Sequence, residues 1–210
     1  MHGEDRRRQL LGIAIESFAR QGFGGTKTKD IAAAAGVSEA ILFRHFASKE
    51  DLYHAILDAK ETPERTSARL QELEGLAARR DDRGLFQNLA TQIVRSFRED
   101  PAFHRLLMYA SLEGHLLASL FRERFGLPTG NFLRRYIVLR QKEGAFHKCD
   151  PNVAMLFFCG CIVQYAMARH VFGVQDHPMN DDTVAKQLVT LVMRGLVKRV
   201  GVEKKKKHGK

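Results

Sequence analysis

The side chains best suited to chemistry on a nucleic acid lie between Thr28 and Lys49: Thr28, Lys29, Ser38, Glu39, Ala40, Ile41, Phe43, Arg44, His45 and Lys49. The hydroxyl of Thr28 and the ammonium groups of Lys29 and Lys49, with Arg6, Arg7 and Arg8 upstream, suit phosphate oxygens. Arg44 suits a base edge. Glu39 could accept from cytosine N4 or merely repel phosphate, and Ala40 or Ile41 could touch a thymine methyl. Phe43 and Phe46, taken alone, fit a core better than a contact.

Two short helices are needed to hold these groups. Lys29 to Ala35 puts Ile31, Ala32 and Ala35 on one side, a helical spacing. Gly36 stops it, because the residue after a helix often takes the left-handed conformation that glycine adopts most cheaply. Ser38 is then a cap for a second helix that turns Leu42 and Phe46 inward. Ala32 lets the two cross closely. A short helix, a glycine turn and a second helix with polar outer residues make a helix-turn-helix, whose second helix can enter a major groove. Before it, Glu4 to Gln21 carries Leu11, Ala14, Ile15, Phe18 and Ala19 on one stripe, ends at Gly22, and has Phe23 folding back on that end. After it, Ser48 caps a fourth helix with Leu52, Tyr53, Ile56 and Leu57 inward.

With these neighbours included, GFGGTKTKDIAAAAGVSEAILFRHFASKEDLYHAIL resembles the DNA-binding domain of the tetracycline-repressor (TetR/AcrR) family of bacterial regulators. The resemblance rests on Gly22-Phe23, Thr26, Asp30-Ile31-Ala32, Ala35-Gly36-Val37-Ser38, Leu42-Phe43, His45-Phe46 and Ser48 to Leu52. It spans roughly the first quarter of the chain. It implies that Ser38 to Ile41 and Phe43 to His45 touch DNA. Three positions depart from the common pattern, where a basic residue, Gly and Thr are more usual than Glu39, Ala40 and Ile41. Lys27 also breaks the usual capping box, leaving Thr26 or Thr28 to cap alone. The resemblance further implies dimerisation through the last helices, with two heads about one DNA turn apart, and a small-molecule pocket in the C-terminal region.

The net charge of +10 adds little to this, because of where it sits. Residues 1–58 hold eight Lys/Arg and eight Asp/Glu, whereas Lys204 to Lys210 alone supply +5. Placement on one face is what counts. The longest apolar run, Val153 to Ala168, contains Gln164 and falls short of the ~20 residues of a membrane span. No secretory pattern opens the chain, and three cysteines suit a reducing cytoplasm.

Beyond the fourth helix, Ala59 to Asp82 is charged and reads as a continuation of that helix, bent or interrupted near Pro63. Gly84 to Arg98 is amphipathic, Pro101 begins a helix broken near Gly114, and two more pieces flank a break at Gly126–Gly130. Asp150 caps a helix from Pro151 to Phe172 that is apolar nearly all round. Asp181 or Asp182 starts the last one. The small residues Ala154, Gly160, Ala166 and Ala168 suit a two-fold four-helix bundle with that last helix, although an ordinary monomer core has the same pattern.

Aromatic and polar groups mingle in the middle helices: Phe86, Phe103, Leu107, Tyr109, Ser111, Phe132, Tyr136, Phe158, Tyr165 and His170. They are the candidate ligand-binding set, and the same stripes are the pattern of a packed core. Cys159 and Cys161, two apart on a helix, cannot share a metal or a disulfide. No phosphate-binding loop, nucleophile elbow or paired zinc motif is present.

The expected fold is all-α, with a three-helix helix-turn-helix head at 1–58, a larger helical domain at 59–203 and a basic tail at 204–210. About nine helices are expected, with a homodimer through the last two. The expected function is a cytoplasmic transcriptional regulator without cofactor. A small, largely apolar effector would release it, as a repressor, from a palindromic operator on double-stranded DNA. An architectural DNA-binding protein without an effector, or an all-helical enzyme, are the alternatives.

Overall fold

The computed structural model describes residues 3–60, 62–174 and 178–198. The expected tail at 204–210 lies outside them. Eleven α-helical segments follow in order among the described residues: α1 Gly3–Gly25, α2 Thr28–Ala34, α3 Glu39–His45, α4 Lys49–Lys60, α5 Pro63–Ala78, α6 Asp82–Glu99, α7 Pro101–Leu112, α8 Leu116–Phe121, α9 Leu127–Lys142, α10 Pro151–His170 and α11 Asp181–Leu196. Counting α4 with α5, and α8 with α9, as single helices gives the nine that the sequence suggests. The only extended pairing described is an isolated bridge between Phe146 and Val197, which ties the end of α11 to the loop after α9.

Capping residues set most of these boundaries. Thr62 accepts from Arg65 N–H and Pro63 takes the first position of α5, so of the two forms expected near Pro63 the helix is interrupted and not bent. Asp81, Asp100, Asp150 and Asn180 cap α6, α7, α10 and α11 in the same way. The break expected at Gly126–Gly130 is absent. Arg122–Gly126 forms a π-helical turn that joins α8 to α9 without interruption. The wider turn is closed by Leu127 N–H donating to the Arg122 carbonyl five residues back, just before Pro128, which has no N–H to donate.

Two apolar cores result. The body core gathers Leu73 of α5, Leu85 to Phe97 of α6, Phe132 to Ile137 of α9, four residues of α10 and five of α11. The head core gathers α1 to α4 and also takes Phe103, Leu106, Leu107 and Ala110 of α7 and Leu117 of α8. The head core therefore includes side chains from well beyond residue 58 in the chain. One expectation needs correcting outright: α10, at 20 residues, is long and apolar enough to cross a membrane by length and composition. Gln164 does not offset its neighbours. Its inward face, Ala154, Phe158, Ile162 and Ala166, is nonetheless part of the body core.

Candidate nucleic-acid interface

The turn between α2 and α3 fixes the site. Gly36 has φ of 65°, and its N–H and that of Val37 donate to the carbonyls of Ala33 and Ala32. A β-carbon at Gly36 would meet nothing, so backbone conformation alone requires the glycine. Ser38 accepts from Ile41 N–H and starts α3. Leu42 and Phe46 are buried, as is Ala32 under the crossing, while Glu39, Ala40, Ile41, Phe43 and Arg44 face outward and His45 is half-buried. Phe43 is thus exposed, against the expectation of a core role. The spacing puts it on the outer face, one residue beyond Leu42.

Arg7 holds this helix in place. Its guanidinium lies 4.4 Å over the Phe46 ring and donates to the His45 carbonyl at 2.8 Å, placing a cation at the negative end of α3. The sequence reading made Arg7 a phosphate contact and missed this positioning role. Among the described residues, the side chains of Lys27, Lys29 and Arg44 make no hydrogen bond or ion pair, and all three residues are exposed. Lys49 differs from what its position suggests. Its ammonium donates to the Phe23 carbonyl and sits 4.2 Å over the Phe23 ring, so it is turned into the head and not toward a phosphate. Neither Thr26 nor Thr28 caps α2, whose start has no side-chain cap. Buried Thr26 donates to the Gly22 carbonyl at 2.7 Å, and Thr28 donates to Glu39 Oε1 at 2.7 Å.

A seam joins the head to the body. Gly22 has φ of 69°, and Phe23 N–H donates to Glu113 Oε2 of the α7 end at 3.1 Å. Phe23 also packs on Phe18, Tyr53 and His115, and the Tyr53 hydroxyl is buried without a partner among the described residues. Burial lowers the His115 pKa, and the ring Nδ1 accepts from Leu117 N–H. On the other side, Lys60 pairs with Asp100 and Arg124 of the π-turn pairs with Asp58 of α4. No motif marked Glu113 or His115, whose roles depend on a contact 90 residues away in the chain.

The ten candidate ligand residues fall into three places. Phe103 and Leu107 belong to the head core, with Tyr109 bonded to the Arg20 carbonyl and Ser111 to that of Leu107. Phe86, Phe132, Tyr136 and Phe158 fill the body core, where Phe86 and Phe158 meet edge to face at 4.9 Å. Tyr165 and His170 converge on the carboxylate of Asp181, at 2.9 and 3.2 Å, and burial pushes the Tyr165 phenol up to about 12. They do not line one chamber, because side chains of this size pack against each other at helical spacing. Two cavities lie elsewhere. One of about 390 Å³ runs along α9 beside Arg134, Arg135, Val138, Leu139 and Lys142. The other, of about 130 Å³, lies between α6 and α11 beside Arg95, Arg98 and Asp181. No metal-ligand cluster occurs among the described residues. Burial raises the Cys159 thiol to about 11, which makes it a poor thiolate.

Comparison with known proteins agrees with the geometry. The family described as bacterial regulatory proteins, tetR family, matches residues 10–56, the span from α1 into α4. The transcriptional repressor KstR2 of Rhodococcus jostii is 29% identical over 203 residues, covering 91% of this chain and 91% of its own length. The transcriptional activator FasR of Mycolicibacterium smegmatis is 44% identical over 54 residues, 26% of this chain and 25% of its own. Among solved structures, the ketosteroid transcriptional regulator KstR2 of Mycobacterium tuberculosis has a TM-score of 0.70 at 22% identity, covering 92% of this chain and 96% of its own. The fatty acid degradation regulator FadR of Bacillus halodurans has a TM-score of 0.61 at 19% identity, covering 90% and 94%. With its helix-turn-helix outward face, all-α body and these likenesses, the chain carries a tetR-family DNA-binding domain at residues 10–56 and is similar over nearly its whole length to a transcriptional repressor.

Proposed function

We propose that the protein is a homodimeric, cytoplasmic repressor that binds a palindromic operator and is released by a small, largely apolar effector. The observation that carries the DNA reading is the outward face of α3 and α2, where Arg44, Lys27 and Lys29 are exposed and unpaired among the described residues. Arg44, Ala40, Ile41 and Phe43 are the base-edge set in this reading, and Lys29 with Thr28 the phosphate set. Ser38 and His45 flank them. Lys49 drops out of the phosphate set unless its bond to Phe23 opens.

Dimerisation is supported by a stripe on α10. Val153, Leu156 and Phe157 are 61, 71 and 57% exposed, and Gly160 and Gln164 continue the same face. Leu191 of α11 is 57% exposed as well. A contiguous apolar face of this kind is the usual mark of an interface. Ala154 and Ala166, read from the sequence as small interface residues, turn inward instead. An effector acting in the body would reach the head along α7, which contributes to the head core, and through the Asp58–Arg124 pair on α4. An apolar effector is supported by the relatives, since the words ketosteroid and fatty acid stand in the names of two of them. The close packing of Phe86, Phe132, Tyr136 and Phe158 in the body core favours the second reading, a DNA-binding protein without an effector.

The test has two arms. Anisotropy titrations of full-length protein should give at least 1,000-fold tighter binding to a self-selected palindrome than to random duplex, a ratio in the range typical of specific regulators. Leu156→Glu should yield a monomer in sedimentation and weaken the palindrome about 100-fold. Equal affinity for both duplexes would end the operator reading. A panel of steroid and fatty-acyl compounds that all leave the complex intact would favour the effector-free reading.

A further inference from the structure

The bond between Thr28 and Glu39 raises a question that the helix-turn-helix geometry alone does not answer. Thr28 is the first residue of α2 and Glu39 the first of α3, and the hydroxyl donates to Glu39 Oε1 at 2.7 Å. A threonine hydroxyl has one proton to give, so it can serve the carboxylate or a DNA phosphate but not both. Resting on the DNA interface described above, we propose that Glu39 is a specificity-determining gate. In the free protein its carboxylate occupies the donor that a phosphate would use.

Docking on any duplex forces an exchange. Thr28 turns its proton to the phosphate, and Glu39, now without its partner, lies close to that anion. Like charges at such a distance repel. From the first turn of α3 the freed carboxylate has one kind of partner in a major groove, an exocyclic amino group, and cytosine N4 is the usual donor to Glu. A site with cytosine in reach restores the lost bond, whereas other sequences leave the carboxylate facing phosphate alone. The repulsion thus falls on every duplex and is relieved only on the right one, a common route to selectivity. The neighbours sharpen the effect: the exposed Lys27 and Lys29 would otherwise attract all DNA alike.

The experiment uses full-length protein and two labelled duplexes, one enriched from a random pool by the wild type and one of fixed random sequence, at a single salt concentration. Glu39→Gln keeps an acceptor for Thr28 but removes the charge, and Glu39→Ala removes both. Each should tighten binding to the random duplex about tenfold while leaving the enriched duplex unchanged or weaker, so that discrimination collapses. Replacing one C·G pair in the enriched duplex should cost the wild type about tenfold and the Glu39 variants nothing. In a Thr28→Val background, Glu39→Gln should gain less on random DNA than it does alone. The proposal is overturned if both Glu39 variants shift the two duplexes by one common factor, or shift neither. Failure of the wild type to enrich any sequence would instead defeat the DNA reading of the head itself. Both residues lie at the surface, so unchanged melting temperatures confirm that each variant is folded.

Discussion

The two short helices of the head, α2 and α3, bury three side chains between them: Ile31, Ala32 and Leu42. In the body, α6 buries six and α11 seven. Helices of seven residues are not stable by themselves, and the head makes up the deficit by drawing in α7 of the next domain, which packs along α1 and brings Phe103 and Leu106 into the head core. Residue choice follows from the same contrast. An outward face that meets DNA is constrained in type at each position, whereas an inward face accepts any apolar side chain of suitable volume. The head therefore carries a motif, and the body carries only a rhythm.

The sharpest way to break that contrast is at α7. Phe103→Ala should destabilise the protein by about 3–5 kcal/mol and expose the amides of Ala14 to Ala19 in α1 to hydrogen exchange. Loss confined to the body amides would show that α7 belongs there alone.

The corner between α6 and α7 gives the next effect. The His104 ring stacks on Phe97 at 3.7 Å, and burial lowers its pKa to about 4. The unfolded chain takes up this proton near pH 6.5 and the folded protein does not. Stability should therefore be intact above pH 6.5 and fall as pH drops toward 4, by at most about 3 kcal/mol at 1.36 kcal/mol per pKa unit. Melts of His104→Gln across that range should lack this slope.

Smaller effects test the seam. Glu113→Ala removes the acceptor for Phe23 N–H and should cost about 1 kcal/mol, with faster exchange of that amide. Tyr53→Phe deletes a buried hydroxyl that has no partner among the described residues. It should be neutral or stabilising by up to about 1 kcal/mol, and a clear loss in a denaturant titration would point to an unseen partner for that oxygen.

Local punctuation was legible in the sequence. Gly36, Ser38, Ser48, Asp100 and Asp150 each act at the point their type suggests, because a cap needs only neighbours a few residues away. Thr62-Pro63 was legible in part: the charged run reads as a helix bent or interrupted near Pro63, and the interruption is what forms, with Thr62 as the cap of a new helix. What the sequence hid lies across the chain. Nothing near Lys49 says that its ammonium bonds to Phe23, and nothing near Phe103 says which of two cores its stripe faces. The candidate ligand set dispersed for the same reason: Phe86 and Phe103 have equivalent helical surroundings in sequence and opposite destinations in space.

The π-helical turn at Arg122–Gly126 has a geometric consequence for this shared architecture. Leu117, before it, points into the head core, and Phe132 and Leu133, after it, point into the body core. Each residue of an α-helix advances the facing direction by about 100°, so the wider turn acts as a phase shifter between the two ends of a continuous rod. Shortening the turn by one residue would rotate one end against the other. Either Leu117 would leave its neighbours in α4 and α7, or Phe132 would swing out toward solvent.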